Sequence, residues 1–237
     1  MKLALDKKQG NRIEWIAEGV GTSFANLVRR YALSRIPVLA IDHVTFYDNN
    51  TAFWDEYIAH RLGLLPITTP NSLPHTTEII FSLDAEGPKM AYASDMASSD
   101  KEITVAKDKI PIVTLGPNQH LRFEAKAVLG TALSHSKFQA GILSYGEEGK
   151  GLRFMVESFF QMEPADVVDR ACEAVETDIE FIEAVLLGKE PPKKKEAKAE
   201  KPKKAAAKKE AKPKKAATKK KKEAAEEKAE EKEDKKE

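Results

Sequence analysis

Residues 22–34 carry the periodicity of one amphipathic helix. Four apolar residues recur at the i, i+3, i+4, i+7 spacing of a single helical face: Phe24, Leu27, Val28 and Tyr31. Thr22 and Ser23 are suitable N-cap residues, because a side-chain oxygen can accept a hydrogen bond from a free backbone N–H of the first turn. Pro37 disfavours helical geometry at Ile36, so the helix is predicted to end there.

A strand is predicted directly after this helix. Residues 38–41 are apolar and largely β-branched, which favours extended backbone. A helix that passes into a strand across one proline indicates a mixed α+β fold. We expect the strand to run to Tyr47, followed by a turn at residues 48–51.

Two more helices are predicted. Thr51 is expected to cap a helix that ends at Gly63. Residues 164–187 form the second long helix, since Pro164 suits a first helical position and Gly188 suits a stop. Its apolar residues recur every three or four positions: Val168, Ala171, Val175, Ile179, Ile182 and Leu186.

Short strands are predicted at seven further places: residues 3–5, 13–16, 78–83, 103–105, 110–115, 121–127 and 152–158. The first two are expected to form a hairpin, and residues 121–127 show the clearest alternation of apolar and polar side chains. Residues 84–100 are expected to be a hairpin tip or a long loop, and residues 130–145 a loop. The strands therefore dominate the middle of the chain.

Charge divides the chain into a body and a tail. The last 49 residues hold 21 of the 39 basic residues and 12 of the 38 acidic ones. The first 188 residues therefore carry a net charge near −8, and residues 189–237 one near +9. The tail has too little apolar surface to offset its ordering entropy, so we expect disorder there. Its lysines could attract nucleic-acid phosphate, or the tail could simply be a solubilising extension.

No catalytic or metal-binding pattern is found in the sequence. The five histidines are scattered, and Cys172 is the one cysteine. We expect no catalytic residue, no metal ligand and no cofactor. No run of about 18 apolar residues predicts a membrane span, and the N-terminus lacks the apolar core of a signal peptide. A single thiol is consistent with the cytoplasm.

Four ordered motifs resemble the alpha-like subunits of cellular RNA polymerases, above all those of the archaeal D type. The first is FANLVRRYALSRIPVLAID at residues 24–42, and the second is DEYIAHRLGLLP at residues 55–66. The third comprises His135, Lys137, Phe138 and Tyr145, with Gln139 and Ala140 where the family has Ser-Pro. The fourth is FMVES at residues 154–158. Bacterial alpha and the third-largest subunit of eukaryotic polymerase II are relatives.

The resemblance implies an architecture and a function. Residues 1–46 and 148–188 would form a discontinuous dimerisation domain, and residues 47–147 an inserted, mostly-β domain. The chain would be a non-catalytic assembly platform of a DNA-directed RNA polymerase, a nucleotidyltransferase complex active in transcription. The cysteines of the iron–sulfur domain found in some relatives are absent.

The resemblance also implies partners. The chain would heterodimerise with a smaller alpha-like subunit of L type, dock small zinc-binding subunits of N and P type, and bind two large catalytic subunits. It would meet DNA only through the complex or by its tail. The implied dimer interface comprises Phe24, Leu27, Val28, Tyr31, Val168, Val175, Ile179, Ile182 and Leu186. The alternative is that the apolar stripes of both helices are simply core; we expect one side to cover the strands and a partner to bury the remaining apolar area. The implied large-subunit contacts are Asn26, Arg29, Arg30, His60 and Arg61.

Two other functions stay open at this point. A free-standing nucleic-acid-binding protein would rely on the basic tail, although the acidic body argues against it. For Arg29 and Arg30 the alternative to a partner contact is a helix face exposed to solvent. For His60 and Arg61 the alternative is a contact to backbone or carboxylate groups. An enzyme with an unrecognised site finds no support in the motifs.

Overall fold

The computed structural model describes residues 1–71, 73–74 and 76–189. The tail beyond Lys189 lies outside the described residues, and so do the predictions of its disorder and of its attraction to nucleic acid. The described chain is α+β, as the sequence predicts. None of the described helices has the length and apolarity needed to cross a bilayer.

Three α-helices and ten strands make up the described part of the chain. The helices are α1 (Thr22–Ser34), α2 (Asp55–Gly63) and α3 (Pro164–Leu186). The strands are β1 (Lys2–Gln9), β2 (Arg12–Glu18), β3 (Val38–Asn49), β4 (Glu78–Glu86), β5 (Lys89–Tyr92), β6 (Ala97–Ser98), β7 (Pro111–Leu115), β8 (His120–Gly130), β9 (Gly141–Glu148) and β10 (Gly151–Ser158).

The first sheet joins the two ends of the described chain. Its order is β1-β2-β10-β9, and each neighbouring pair is antiparallel. Helix α1 packs against β9 and α3, and α3 also packs against β10 and β2. The apolar core between these helices and the sheet includes Ile13, Leu143, Phe154 and Val167. Residues near both termini thus build one layered unit.

The second sheet has the order β3-β8-β4-β6, and β5 pairs separately with β7. Helix α2 packs against β3 and β7. The core of this part contains Ile58, Leu62, Phe81 and Phe123, all at most 1% exposed. The alternation predicted for residues 121–127 is observed in β8, where the buried apolar residues from Leu121 to Ala127 alternate with exposed or half-buried charged ones.

Strand β3 is shared by both cores. Its first four residues are all buried, and successive side chains point to opposite faces of a strand. Val38 and Ala40 therefore pack in the core beneath α1, whereas Leu39 and Ile41 pack in the core beneath α2. Burial on both faces explains why this strand reads as an uninterrupted apolar run instead of an alternating one.

The predicted ends of α1 differ from the observed ones. Gly21 occupies the N-cap position without a side-chain hydrogen bond, so neither Thr22 nor Ser23 is the cap. The helix ends at Ser34, where the Arg35 N–H bonds to the Tyr31 carbonyl and caps the last turn. Ile36 lies outside the helix because the proline that follows disfavours helical geometry there.

Thr51 does not cap α2. The N-cap residue is Trp54, and the helix begins at Asp55. Thr51 instead stabilises the preceding turn, where its hydroxyl contacts the Asn49 side-chain oxygen at 2.8 Å and the Phe53 carbonyl at 3.1 Å. The local bonds that make threonine a good cap also suit a turn.

Two predictions about strands and loops were wrong, and a third was correct only in part. Residues 103–105 do not form a strand, and only an isolated bridge joins Val105 to Ile67. The end of the predicted loop 130–145 belongs to β9. Residues 84–100, expected to be a hairpin tip or a long loop, contain β5 and β6, and β6 pairs with β4 as in a hairpin. Short strands of this kind are fixed by their pairing partners, which the local sequence does not reveal.

Candidate partner interface

Each long helix buries one side in the chain's own core. Helix α1 buries Ala25, Val28 and Ala32. Helix α3 buries Pro164, Val167, Ala171 and Val175, and none of its residues beyond Val175 is buried. Val28 and Val175, which the sequence assigned to the dimer interface, are therefore covered by this chain itself. Val168 and Tyr31 are half-buried at the edge of the same core.

The remaining predicted interface residues are exposed. Phe24 is 48% exposed and Leu27 36%, while Ile179, Ile182 and Leu186 are between 55 and 81% exposed. Phe181, Val185 and Leu187, which the sequence analysis did not single out, are also at least half exposed. We call these eight residues the exposed helix surface. Apolar side chains concentrated in this way typically mark a binding surface.

A polar contact holds the second half of α3 against α1. The Tyr31 hydroxyl donates a hydrogen bond of 2.9 Å to Asp178. Arg35 lies 4.0 Å from the same carboxylate, and its guanidinium stands 5.6 Å above the Tyr31 ring. The hydrogen bond to Asp178 raises the pKa of Tyr31 above its ordinary value. This contact orients α3 at the point where its apolar residues become exposed.

The predicted large-subunit contacts lie on two helices that pack against different sheets. On α1, the Asn26 side chain accepts two hydrogen bonds from Arg29, at 3.2 and 2.9 Å. Arg30 is exposed. On α2, His60 is exposed, and Arg61 donates a 2.5 Å hydrogen bond to the Pro111 carbonyl. The five residues therefore lie on two different helices.

The first and third motifs meet at one ion pair. The Lys137 ammonium donates to the Asp42 carboxylate at 2.5 Å and to the Ile41 carbonyl at 3.1 Å. His43 Nδ1 lies 3.0 Å from the other Asp42 oxygen. The hydrogen bond from Lys137 lowers the pKa of Asp42. The lysine thereby attaches the loop before β9 to the end of the buried part of β3.

This ion pair predicts a pH dependence. The carboxyl of Asp42 has a lower pKa in the folded chain than in the unfolded one. Its contribution to the free energy of unfolding is therefore present above about pH 4 and is lost as the pH falls through the folded pKa. We expect Lys137→Met to raise the pKa of Asp42 and to remove this part of the pH dependence of folding stability. NMR titration of the Asp42 carboxyl measures the effect, and an unchanged pKa would contradict it. Lys126→Met, which breaks the exposed pair with Glu78, is the matched control.

Arg170 is a structural residue that the sequence analysis missed. It lies on α3 and donates to the Thr69 carbonyl at 3.1 Å, to the Pro37 carbonyl at 3.4 Å, and to the Asn71 side chain. Burial lowers its pKa, while Asp166 and Glu173 act in the opposite direction. Arg170 is the one basic residue within α3, which is the only signal that could have drawn attention to it.

Thr69 connects the same regions. Its hydroxyl accepts from the Leu39 N–H at 3.1 Å, and its own N–H donates to the Gln161 carbonyl at 2.8 Å. Thr69 is 3% exposed. Arg170 and Thr69 together fasten the segment after α2 to β3, to the loop before α3, and to α3 itself. No group of three or more potential metal ligands lies together in the described ranges.

Comparisons with known proteins give one matching family model and several relatives of this chain. Residues 44–145 match the family model described as the RNA polymerase Rpb3/RpoA insert domain. The chain is 42% identical over 147 residues to the DNA-directed RNA polymerase subunit Rpo3 of Thermococcus kodakarensis, covering 59% of this chain and 56% of that protein. It is 40% identical over 153 residues to the Rpo3 subunit of Pyrococcus horikoshii, covering 61% and 59%.

A third relative is covered over most of its length. The Rpo3 subunit of Methanocaldococcus jannaschii is 37% identical over 159 residues, which cover 67% of this chain and 82% of that protein. The chain spans 56 and 59% of the length of the Thermococcus and Pyrococcus relatives. The matched lengths exceed the range 44–145 that the insert-domain family model covers. The chain belongs to the Rpo3 family of DNA-directed RNA polymerase subunits.

Proposed function

We propose that this chain is a non-catalytic assembly platform of a multisubunit DNA-directed RNA polymerase. The observation that carries the proposal is the exposed helix surface, which places eight apolar side chains on α1, on the second half of α3 and at the C-cap of α3. A complex is stabilised when a partner buries apolar area of this kind, because the area is removed from water. Membership of the Rpo3 family makes another polymerase subunit the natural partner.

The partner of the exposed helix surface is a smaller alpha-like subunit of L type. The interface comprises Phe24, Leu27, Ile179, Ile182 and Leu186, extended by Phe181, Val185 and Leu187. Tyr31 and Val168 lie at its edge, whereas Val28 and Val175 support it from the chain's own core. An obligate interface of this type is typically large and hydrophobic.

The domain organisation supports this role. We propose that the first sheet with α1 and α3 forms the discontinuous dimerisation domain, and that the second sheet with α2 forms the insertion. The predicted boundaries at 46/47 and 147/148 fall within β3 and β9. Because β9 pairs with β10, we assign residues 141–148 to the dimerisation domain.

The remaining partners use other surfaces. The large catalytic subunits bind Arg29 and Arg30 on α1 and His60 and Arg61 on α2. Arginine suits such contacts because its planar group can pair with carboxylates or carbonyls through two hydrogen bonds. Small zinc-binding subunits of N and P type complete the platform, which supplies no catalytic residue of its own.

Co-expression with the L-type subunit tests the proposal. We expect the two chains to co-purify and to elute together as a heterodimer in size-exclusion chromatography with light scattering. The chain expressed alone is the control, and we expect it to self-associate because its apolar surface is uncovered. The proposal would be refuted if the chain were monodisperse on its own and did not co-purify with an alpha-like partner.

A further inference from the structure

His120 contacts one carboxylate on each side at the end of the second sheet. It is the first residue of β8, which lies between β3 and β4 in that sheet. Its Nδ1 lies 2.9 Å from an oxygen of Asp48 on β3, and its Nε2 lies 2.7 Å from an oxygen of Asp84 on β4. One side chain therefore joins three neighbouring strands. We call these three residues the histidine clip.

Only the protonated ring can make both contacts as hydrogen bonds. A carboxylate accepts hydrogen bonds, whereas a neutral imidazole has one N–H and one lone pair. With a neutral ring, one of the two carboxylates would face a lone pair, which repels it. The imidazolium donates from both nitrogens, and both bonds are then charge-assisted. The hydrogen bonds to Asp48 and Asp84 accordingly raise the pKa of His120 above its ordinary value.

The charges around the histidine clip also favour the imidazolium. Glu86 is the direct cross-strand neighbour of His120 on β4. Arg122 lies two residues further along β8, opposite Asp48 and Asp84 in the two registers, and its Nε lies 3.9 Å from an Asp84 oxygen. The turn that leads into β8 carries no charged residue. Three carboxylates thus surround one guanidinium, and a proton on His120 supplies the second positive charge.

Further hydrogen bonds connect the histidine clip to the start of α2. The His120 N–H donates to the Asn50 side chain at 2.5 Å, and the His120 carbonyl accepts from the Asn50 N–H at 3.2 Å. The Asn49 side chain donates at 2.6 Å to the carboxylate of Asp55, the first residue of α2. Because Asn49 and Asn50 directly follow Asp48, release of Asp48 loosens the turn between β3 and α2.

We propose that the histidine clip is a pH-dependent device that fastens the turn after β3 to β8 when the ring is protonated and releases it when the ring is neutral. The neutral ring keeps one N–H, and this N–H stays on Asp84, which Arg122 also holds. The Asp48 carboxylate then faces the lone pair of Nδ1 and moves away. Residues 48–55 lose one attachment. The device is independent of the proposed function, because it needs no partner.

The direction of the pH dependence follows from the linkage between proton binding and folding. The pKa of His120 is higher in the folded chain than in the unfolded one, where it is about 6.5. The contribution of the histidine clip to stability is therefore fully present below about pH 6.5 and is lost as the pH rises through the folded pKa. The contribution of Asp42 has the opposite sign, since it is lost as the pH falls.

Hydrogen–deuterium exchange of the full chain at different pH values tests the proposal. The reporters are the N–H groups of Asn50, Thr51 and Phe53, which are hydrogen-bonded in this turn. After correction for the intrinsic exchange rate, we expect their protection to fall about two- to fivefold between about pH 6 and about pH 9, as for the loss of an exposed ion pair. Residues 152–156 of β10, in the first sheet, are the internal control. Unchanged protection of the turn, or an equal loss in both regions, would overturn the proposal.

Two substitutions of His120 separate the effect of charge from that of shape. His120→Arg keeps a positive charge at every pH and presents several donors, so we expect high protection of the turn that does not change with pH. His120→Gln is neutral, so we expect the low protection of the alkaline wild-type chain at both pH values. A purely structural histidine would give the same pH profile in all three chains, and that result would contradict the proposal.

NMR titration of the His120 ring provides a further test that leaves the histidine in place. We expect Asp48→Asn and Asp84→Asn each to lower the pKa of His120, because one acceptor of the protonated ring loses its charge. Asp108→Asn, at an exposed position before β7, is the matched control and should leave that pKa unchanged. If neither change at positions 48 and 84 lowered the pKa of His120, the ring would not bridge the two carboxylates and the proposal would fail.

Discussion

Replacing Ile182 with aspartate is expected to abolish heterodimerisation while the chain stays folded. Ile182 is 57% exposed on the second half of α3, so the charge is solvated in the isolated chain. In the heterodimer the same charge would be buried without a partner, and the apolar contact would be lost. Burial of one large apolar side chain contributes about 1.5–3 kcal/mol, and burial of an unpaired charge costs more. We therefore expect the Kd for the L-type subunit to rise at least about 100-fold.

The measurement is titration of the L-type subunit in a binding assay, with circular dichroism to verify folding. Leu133→Asp is the matched control, since Leu133 has a similar exposure of 62% but lies outside both helices. We expect this control to bind normally. An Ile182→Asp chain that retains the wild-type Kd would show that α3 does not form the interface.

Arg170→Met is expected to produce the second large effect, and this one is on stability. The change leaves the Thr69 and Pro37 carbonyls without their donor and detaches α3 from the segment after α2. Hydrogen bonds from a charged group contribute about 1.5–3 kcal/mol. We expect a loss of about 2–3 kcal/mol in the free energy of unfolding. For a domain of this size that lowers Tm by about 5–10 °C.

Arg153→Met is the matched control for that experiment. Arg153 pairs with three carboxylates, those of Asp6, Glu14 and Glu148. These pairs are near the surface, where water screens them, so the control should lower Tm much less despite its larger number of ionic partners. Thermal unfolding followed by circular dichroism decides between the two arginines. If Arg153→Met lowered Tm as much as Arg170→Met or more, burial would not decide how much each arginine contributes to stability.

Much of the secondary structure could be predicted because the local signals were strong. Pro37 separates α1 from β3 through steric restriction of the residue before it. The alternation in β8 and the helical period in α3 follow from which side chains must leave water. The weak predictions were those that depend on a distant partner: β5 and β6 are short and have no clear pattern of their own.

The candidate interface was only partly predictable for the same reason. Helical periodicity places Val175 and Ile179 on one stripe of α3, four residues apart. It cannot show that the chain's own core covers the first and not the second. Only the packed chain shows that burial on α3 ends at Val175 and that the apolar residues beyond it are left for a partner.

The sequence by itself determined the helix–proline–strand element, the division of charge between body and tail, and the motifs of the Rpo3 family. These features depend on residues that are close together in the chain. The tertiary structure alone decided where burial on α3 ends and that Arg170 fastens α3 to the segment after α2. The bonds of Arg170 join residues 101 and 133 positions apart, and no local pattern specifies them because their free energy arises only when the two cores have formed.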